Sequence, residues 1–322
     1  MKIARSLAEV PADFGPCALT IGNFDGVHRG HRQILKRTVT LAKERGWKSA
    51  ALTFNPHPTR IVAPDRTPRL LTTPERRAEL MAEEGIEQVL ILPFTHEVAE
   101  LAPEEFVEQV IVSKIGARAV LVGENFRFGR RQSGTVALLA ELGRKLGFDT
   151  EVIPTASCRG RTVSSSLIRK QIERGQVALA SRFLCCPYAL DGAVVKGHGI
   201  GSKQTVPTLN LAPTAEVIPA PGVYLTRTVD LEAPRSWNSI TNSGYRPTFG
   251  SSDELTIETF LLDPLEGPPP ARIRVEFLCR VREERKFETP EALKEQILKD
   301  VRVARNYFRR AQTWLSQRLA PA

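Results

Sequence analysis

At 322 residues, 42% hydrophobic and 25% charged, the chain has globular proportions and length for two separately cored domains. It holds no run of about eighteen apolar residues, which excludes a helical membrane span, and its opening "MKIARSLAEVPADFG" lacks the apolar core of a secretory signal. The formal charge of +9 is spread in ones and twos, with 27 basic and 20 acidic side chains in residues 1–183 and no lysine-rich arm or zinc-finger pattern, so no nucleic-acid partner is expected.

A polyphosphate pocket accounts for the basic surplus equally well. The five cysteines, Cys17, Cys158, Cys185, Cys186 and Cys279, form no CxxC pair. That argues against a disulfide framework or structural zinc and suits a reducing cytoplasm.

In chain order, strand-like apolar runs stand at "CALTIGNF", "SAALTFNP", "IEQVLILPF", "ARAVLVG" and "TEVIP". Helix-like stretches lie between them at 30–45, 74–85, 103–115 and 135–146. The first puts Ile34, Leu35, Thr38, Leu41 and Ala42 on one face, and Gly46 stops it. This alternation predicts an α/β fold with a parallel, doubly wound sheet and ligands at the carboxyl ends of its strands. From about Pro187 the texture changes to short alternating runs separated by turn residues: "YALDGAVV", "GVYLTRTV", "SWNSITN", "LTIETFLL", "RIRVEFL". These predict a small antiparallel barrel or sandwich. A last helix opens with Thr289 as N-cap and Pro290 at its first position. The boundary falls near 184–187, dividing the chain into 1–184 and 185–322.

The densest chemistry is "TIGNFDGVHRGHR", Thr20–Arg32, where a strand hands over to a helix. Gly22 and Gly26 give the backbone room to turn, and Asn23 and Phe24 lie between them. His28 and His31 flank the first helical turn, where free N–H groups and the helix dipole favour an anion. Two imidazoles added there would grip a phosphate as its charge grows, without a covalent step. A polar loop with two solvated histidines, or a metal pair lacking a clear third ligand, are the other readings of these residues alone.

"GNFDGVHRGH" resembles the HxGH motif of nucleotidyltransferases, in the form found in bacterial bifunctional riboflavin kinase/FAD synthetases. "TFNPHP", "LLT", "VGENFRFGRRQSG" and "VSSSLIRK" follow in that family's order. By this resemblance Ser164, Ser165, Ser166 and Arg169 form a second phosphate grip. Asn125, where the family usually has aspartate, and Arg127 would contact flavin or nucleotide. The later stretch "VVKGHGIGSKQTVPTLNL" is similar to the flavokinase glycine-rich loop and PTAN motif. Gly197, Gly199 and Gly201 would wrap ATP phosphates, and Thr208 and Asn210, two apart on a strand, would offer neutral oxygens to Mg²⁺. Glu258 matches the catalytic glutamate, a base for a primary alcohol, and Asn242 and Arg246 fall in a block framing the flavin. Ser202, Thr205 and Phe260 depart from the usual arginine, glycine and histidine. The resemblance implies ATP-dependent conversion of riboflavin to FMN and of FMN to FAD by a monomer or weak homo-oligomer. An adenylyltransferase with a barrel that only binds flavin is the alternative.

Overall fold

The structure, a computed structural model, describes residues 1–195, 208–248, 251–285 and 287–319, without the side chains of 245–248, 251–255, 290 and 312–319. Its contacts form two compact units, Met1–Ser165 and Ser166–Ala322.

The first unit runs β1 (Lys2–Ala4), β2 (Cys17–Ile21), α1 (Arg29–Arg45), β3 (Lys48–Asn55), α2 (Pro58–Val62), α3 (Pro74–Glu83), β4 (Gln88–Pro93), α4 (His96–Glu100), α5 (Pro103–Glu105), β5 (Ala117–Gly123), α6 (Val136–Leu146) and β6 (Asp149–Ile153). A two-residue hairpin, β7 (Ser157–Cys158) and β8 (Arg161–Thr162), follows. Six strands pair in parallel in the order β1-β4-β3-β2-β5-β6, so the expected doubly wound sheet is present.

Its central strands are buried on both faces, which is why they read as unbroken apolar runs. Leu19, Leu52 and Val120 point to one side, where Phe106, Val110 and Leu139 cover them. Ala18, Ala119 and Leu121 point to the other, against Leu41 and Ala42 of α1. Gly46 ends α1 in the left-handed region at φ 66°, as its position implies.

The stretch expected to be one helix over 103–115 differs. After α5 the chain winds as a π-helix over Phe106–Lys114, with Ile115 N donating to Val110 O at 3.0 Å. The Ser113 hydroxyl takes the Glu108 carbonyl five residues back at 2.6 Å, which supports the wider winding. Phe106, Val107, Val110 and Ile111 still share the buried side.

The second unit takes α7 (Ser165–Glu173), α8 (Val177–Leu184), β9 (Tyr188–Val195), β10 (Thr208–Pro213), β11 (Gly222–Asp230), β12 (Ser236–Thr248), β13 (Ser251–Leu261), β14 (Arg272–Glu283) and α9 (Pro290–Leu319). Six antiparallel strands close in the order β10-β13-β12-β11-β14-β9, which decides for a barrel over a sandwich. Successive residues of β11 serve opposite faces. Val223 and Leu225 join Ile240 under Ala304, Val301 and Phe308 of α9. Thr226 and Thr228 point the other way, into the barrel, and bond Ser239 and Thr241, while Thr241 bonds Thr259, all at 2.8–2.9 Å. Each hydroxyl there is fully buried and partnered, so the polar interior carries little desolvation penalty. The Thr289 hydroxyl accepts from Ala292 N at 3.2 Å, the expected cap of α9. Asp300 on that helix pairs with Arg282 of β14 at 2.8 Å.

Candidate functional site

In the sheet order β3-β2-β5, the chain leaves β2 beside the point where connections turn from one side to the other, the place where open α/β sheets bind ligands. Gly22 N still donates to Leu52 O at 3.1 Å, and the loop then turns sharply, with Phe24 at φ 48°, Gly26 at 81° and Val27 at 39°. Left-handed backbone at two non-glycine residues is strained and has to be held by its surroundings.

Asp25 is the principal clamp. Its carboxylate is buried and accepts from Leu71 N (3.0 and 3.1 Å), Thr72 N (3.1 Å) and the Thr72 hydroxyl (3.2 Å). Gly26 N donates to the same hydroxyl at 3.0 Å, and Ser165 Oγ donates to the Asp25 carbonyl at 2.8 Å. The "LLT" block and one serine of the "SSS" block therefore both meet the histidine loop.

His28 is the N-cap of α1, its Nδ1 accepting from His31 N at 3.4 Å. With Nδ1 used as acceptor, Nε2 is the ring position that carries the proton. The His28 and His31 rings stack with centroids 3.6 Å apart and planes 14° from parallel. A Cβ on Gly30 would meet the His28 ring at 3.3 Å, so the glycine of "HRGH" makes room for that ring. The Phe24 ring is buried edge-on to His31 at 5.2 Å, and a Cβ on Gly22 would press on it at 3.3 Å. Phe24 thus packs the floor, and what it can offer a phosphate is backbone.

Burial pushes the His31 imidazole well below its ordinary value, with help from His28 and then Arg77. Its Nδ1 is buried with no partner among the described residues. Unliganded His31 is therefore neutral at pH 7, and an arriving phosphate would favour its charged form. The first turn of α1 holds no acidic residue, so its dipole is unopposed there.

Asn23 Nδ2 lies 3.1 Å from His57 Nε2, and His57 Nδ1 lies 2.7 Å from Thr59 Oγ1. Asn125 and Arg127 are exposed on the turn that leaves β5, next to β2 at the same sheet edge. Stacked Phe126 and Phe128 rings, 5.6 Å apart, fix that turn. Ser164 precedes α7. Ser166 and Arg169 belong to the second unit, where Arg169 donates to Ser166 Oγ at 3.5 Å.

In the barrel, strand register sets Asn210 opposite Glu258 and Glu258 opposite Asn242, across β10, β13 and β12. Directly opposed residues share a face, so an amide, a carboxylate and a second amide form one row. Thr208, two residues from Asn210, stands on that face opposite Phe260. Arg246 lies on β12, its side chain outside the described residues. Gly197, Gly199 and Gly201, with Ser202 and Thr205, also lie outside the described residues.

Asp25, Thr53, His57 and Arg77 support the first site without having been singled out from sequence. Asp25 and His57 stand inside quoted motifs, whereas "TPERRAEL" gives no sign that Arg77 is buried.

A family model described as FAD synthetase matches residues 10–167, and one described as riboflavin kinase matches 184–308. The bifunctional riboflavin kinase/FMN adenylyltransferase of Pseudomonas fluorescens is 34% identical over 305 residues, covering 95% of this chain and 97% of that protein. The Escherichia coli K12 protein of the same name is 32% identical over 311 residues, covering 96% and 98%. A crystal structure described as a macrolide-efflux protein from Streptococcus pneumoniae superposes with a TM-score of 0.82 at 24% identity, over 94% of this chain and 98% of that one, and shows the same fold. With relatives above 30% identity running through both units, the chain belongs to the bifunctional riboflavin kinase/FMN adenylyltransferase family.

Proposed function

We propose that the two reactions of the family, riboflavin to FMN and FMN to FAD, are divided in this chain at 184/185, with adenylyl transfer before that point and the kinase after it. The protein is a transferase that uses ATP in both reactions, with flavins as substrates and products. The stacked imidazole pair at the head of α1, in a loop clamped by a buried carboxylate, carries the first assignment.

In adenylyl transfer an FMN phosphate oxygen attacks the α-phosphorus of ATP, the bond to the β,γ-pyrophosphate breaks, and pyrophosphate leaves with the bond electrons. The nucleophile is already anionic, so no base is needed. The site has to hold two polyanions together and stabilise spreading charge. His28 Nε2–H, the N–H groups of the first turn of α1, and His31 as it gains a proton supply that field. Gly22, Asn23, Phe24 and Gly26 line the triphosphate through their backbone, and Ser164, Ser165, Ser166 and Arg169 form the second grip. Asn125 and Arg127 face FMN.

The kinase has the opposite problem. A neutral ribityl hydroxyl attacks the γ-phosphorus, and its proton must go as the O–P bond forms. Glu258 accepts it, and ADP leaves. Thr208 and Asn210 present neutral oxygens beside Glu258, a donor set that fits Mg²⁺ held mainly by nucleotide phosphates. Bound there, the ion would neutralise charge on those phosphates. Gly197, Gly199 and Gly201 serve the phosphates, and Asn242 and Arg246 the flavin. Five free thiols suit a cytoplasmic protein, acting as a monomer or weak homo-oligomer.

Two variants test the division. His28→Ala should lower FAD formation from FMN by about a hundredfold while FMN still forms from riboflavin. Glu258→Gln should do the reverse. Folded variants in which either change disabled both reactions would overturn the assignment.

A further inference from the structure

Arg77 has no place in the chemistry above, yet it is only 1% exposed and among the largest side chains buried in the protein. We propose that Arg77 is a positioning residue for adenylyl transfer, locking the carboxyl ends of β2 and β3 together beneath the paired imidazoles. The inference rests on His28 and His31 being the adenylyl-transfer site.

From α3, Arg77 NH1 donates to Thr53 Oγ1 at 3.0 Å and to Phe54 O at 3.3 Å. The Thr53 hydroxyl passes the connection on, donating to the Asn23 carbonyl at 3.1 Å. One guanidinium nitrogen thus holds the end of β3 and, through a single hydroxyl, the start of the histidine loop. Asn23 is held from its other side by His57, two residues beyond the end of β3. Its backbone and its side chain therefore both depend on where β3 ends.

The charge is costly where it sits. Arg77 Nε is buried without a partner among the described residues. Among the described residues Arg77 makes no ion pair; the acidic groups that act on it are Asp25 and then Glu75, which itself pairs with Arg5. An apolar side chain of similar volume would pack this helix at least as well, since a buried charge lacking its counter-ion loses solvation. A charge kept in such a place is explained by the site above it. The titratable or charged groups acting on His31 are His28, from the cap of α1, and Arg77, from α3. Both add to the burial that already disfavours its protonation, so the fixed cation beneath the site reinforces the neutral state of the free His31 ring and leaves it to be charged by an incoming phosphate.

The experiment compares Arg77→Met with Arg77→Lys. It reads FAD formation from FMN and ATP, thermal stability, and the titration of the His31 ring by NMR, assigned among five histidines with a His31→Gln control. Arg77→Met should leave the melting temperature in place, lower the rate at least about tenfold, and move the His31 midpoint upward. Arg77→Lys should keep the parent midpoint and most of the rate. An unmoved midpoint or an undiminished rate in Arg77→Met overturns the inference. Should Arg77→Met not fold, Arg77→Lys decides: midpoint and most of the rate retained support it, and loss of either overturns it. If His28→Ala leaves FAD formation intact, the site reading itself falls. If it abolishes FAD formation while Arg77→Met is unharmed, only the role of Arg77 is withdrawn.

Discussion

Replacing Asp25 by asparagine removes one charge and exchanges one oxygen for a donor, in a place where the structure limits the possible outcomes. Oδ1 accepts from Leu71 N, Thr72 N and the Thr72 hydroxyl, and Oδ2 accepts from Leu71 N at 3.1 Å. An amide with its oxygen at Oδ1 keeps three acceptor contacts but aims an NH₂ at the Leu71 N–H; flipped, it opposes three donors. Losing charge assistance and facing one donor with another amounts to about 3 kcal/mol. The loop it clamps holds Phe24 and Val27 at positive φ, which costs about 1–3 kcal/mol each. The clamp and the strain are of similar size, so without the charge the loop relaxes out of the geometry that stacks His28 on His31. Asp25→Asn should therefore lower FAD formation from FMN by roughly a hundredfold, the rate equivalent of about 3 kcal/mol, and leave FMN formation from riboflavin near the parent rate. Coupled assays on one preparation measure both. FAD formation within twofold of the parent would refute the clamp and with it the physical reason for the aspartate.

Two further outcomes follow from groups already placed. Asp300 is 5% exposed and accepts from Arg282 and from Gln296, so Asp300→Asn leaves a guanidinium half-compensated beneath α9; kinase activity should melt out earlier, with denaturant titration showing a loss of about 3 kcal/mol in the second unit. ATP binding to a Glu258→Gln variant should take up protons at pH 6, because free His31 is held neutral and phosphate charge raises its affinity for a proton. Binding should accordingly tighten as pH falls toward the ordinary imidazole value of about 6.5 and below it. Calorimetry in two buffers of different ionisation enthalpy reads the uptake, which His31→Gln should abolish.

Where local pattern decides structure, the chain was readable. The apolar runs from Cys17, Ser49, Ile86 and Ala117 became buried strands of one sheet, because a strand covered on both faces has to be apolar throughout, and the run from Thr150 became its edge, with only Ile153 buried. Gly46 and Gly147 stop their helices in the left-handed region, and Thr73 and Thr135 cap theirs. The alternating runs of the second half became a barrel, although alternation alone left barrel and sandwich equally open. What escaped was long-range. Asp25 meets Leu71 and Thr72 across 46 residues, and a loop aspartate shows no such partner in its neighbours. The helix carrying Arg77 reads as a solvated face, since Arg76 beside it does pair at the surface with Glu79 and Glu83. The π-winding at 106–114 keeps the same buried residues that an α-helix would, so no hydrophobic period distinguishes the two. β1 is three residues long and has one buried position, too little pattern to register as a strand.

The two halves differ in the polarity they bury beneath their candidate sites. The barrel interior links Thr226, Thr228, Ser239, Thr241 and Thr259 into a ladder in which each hydroxyl has a partner. Such a ladder is electrically quiet, and it fixes the strands that set Asn210, Glu258 and Asn242 in register. The sheet unit keeps uncompensated polarity under its site: a His31 nitrogen and an Arg77 nitrogen without partners among the described residues, at the head of a helix whose first turn holds no acidic residue. Polyanions can complete that set when they arrive, and a nucleophile that is already charged asks for nothing more. Moving the His31 environment toward neutrality should therefore damage adenylyl transfer and spare the kinase.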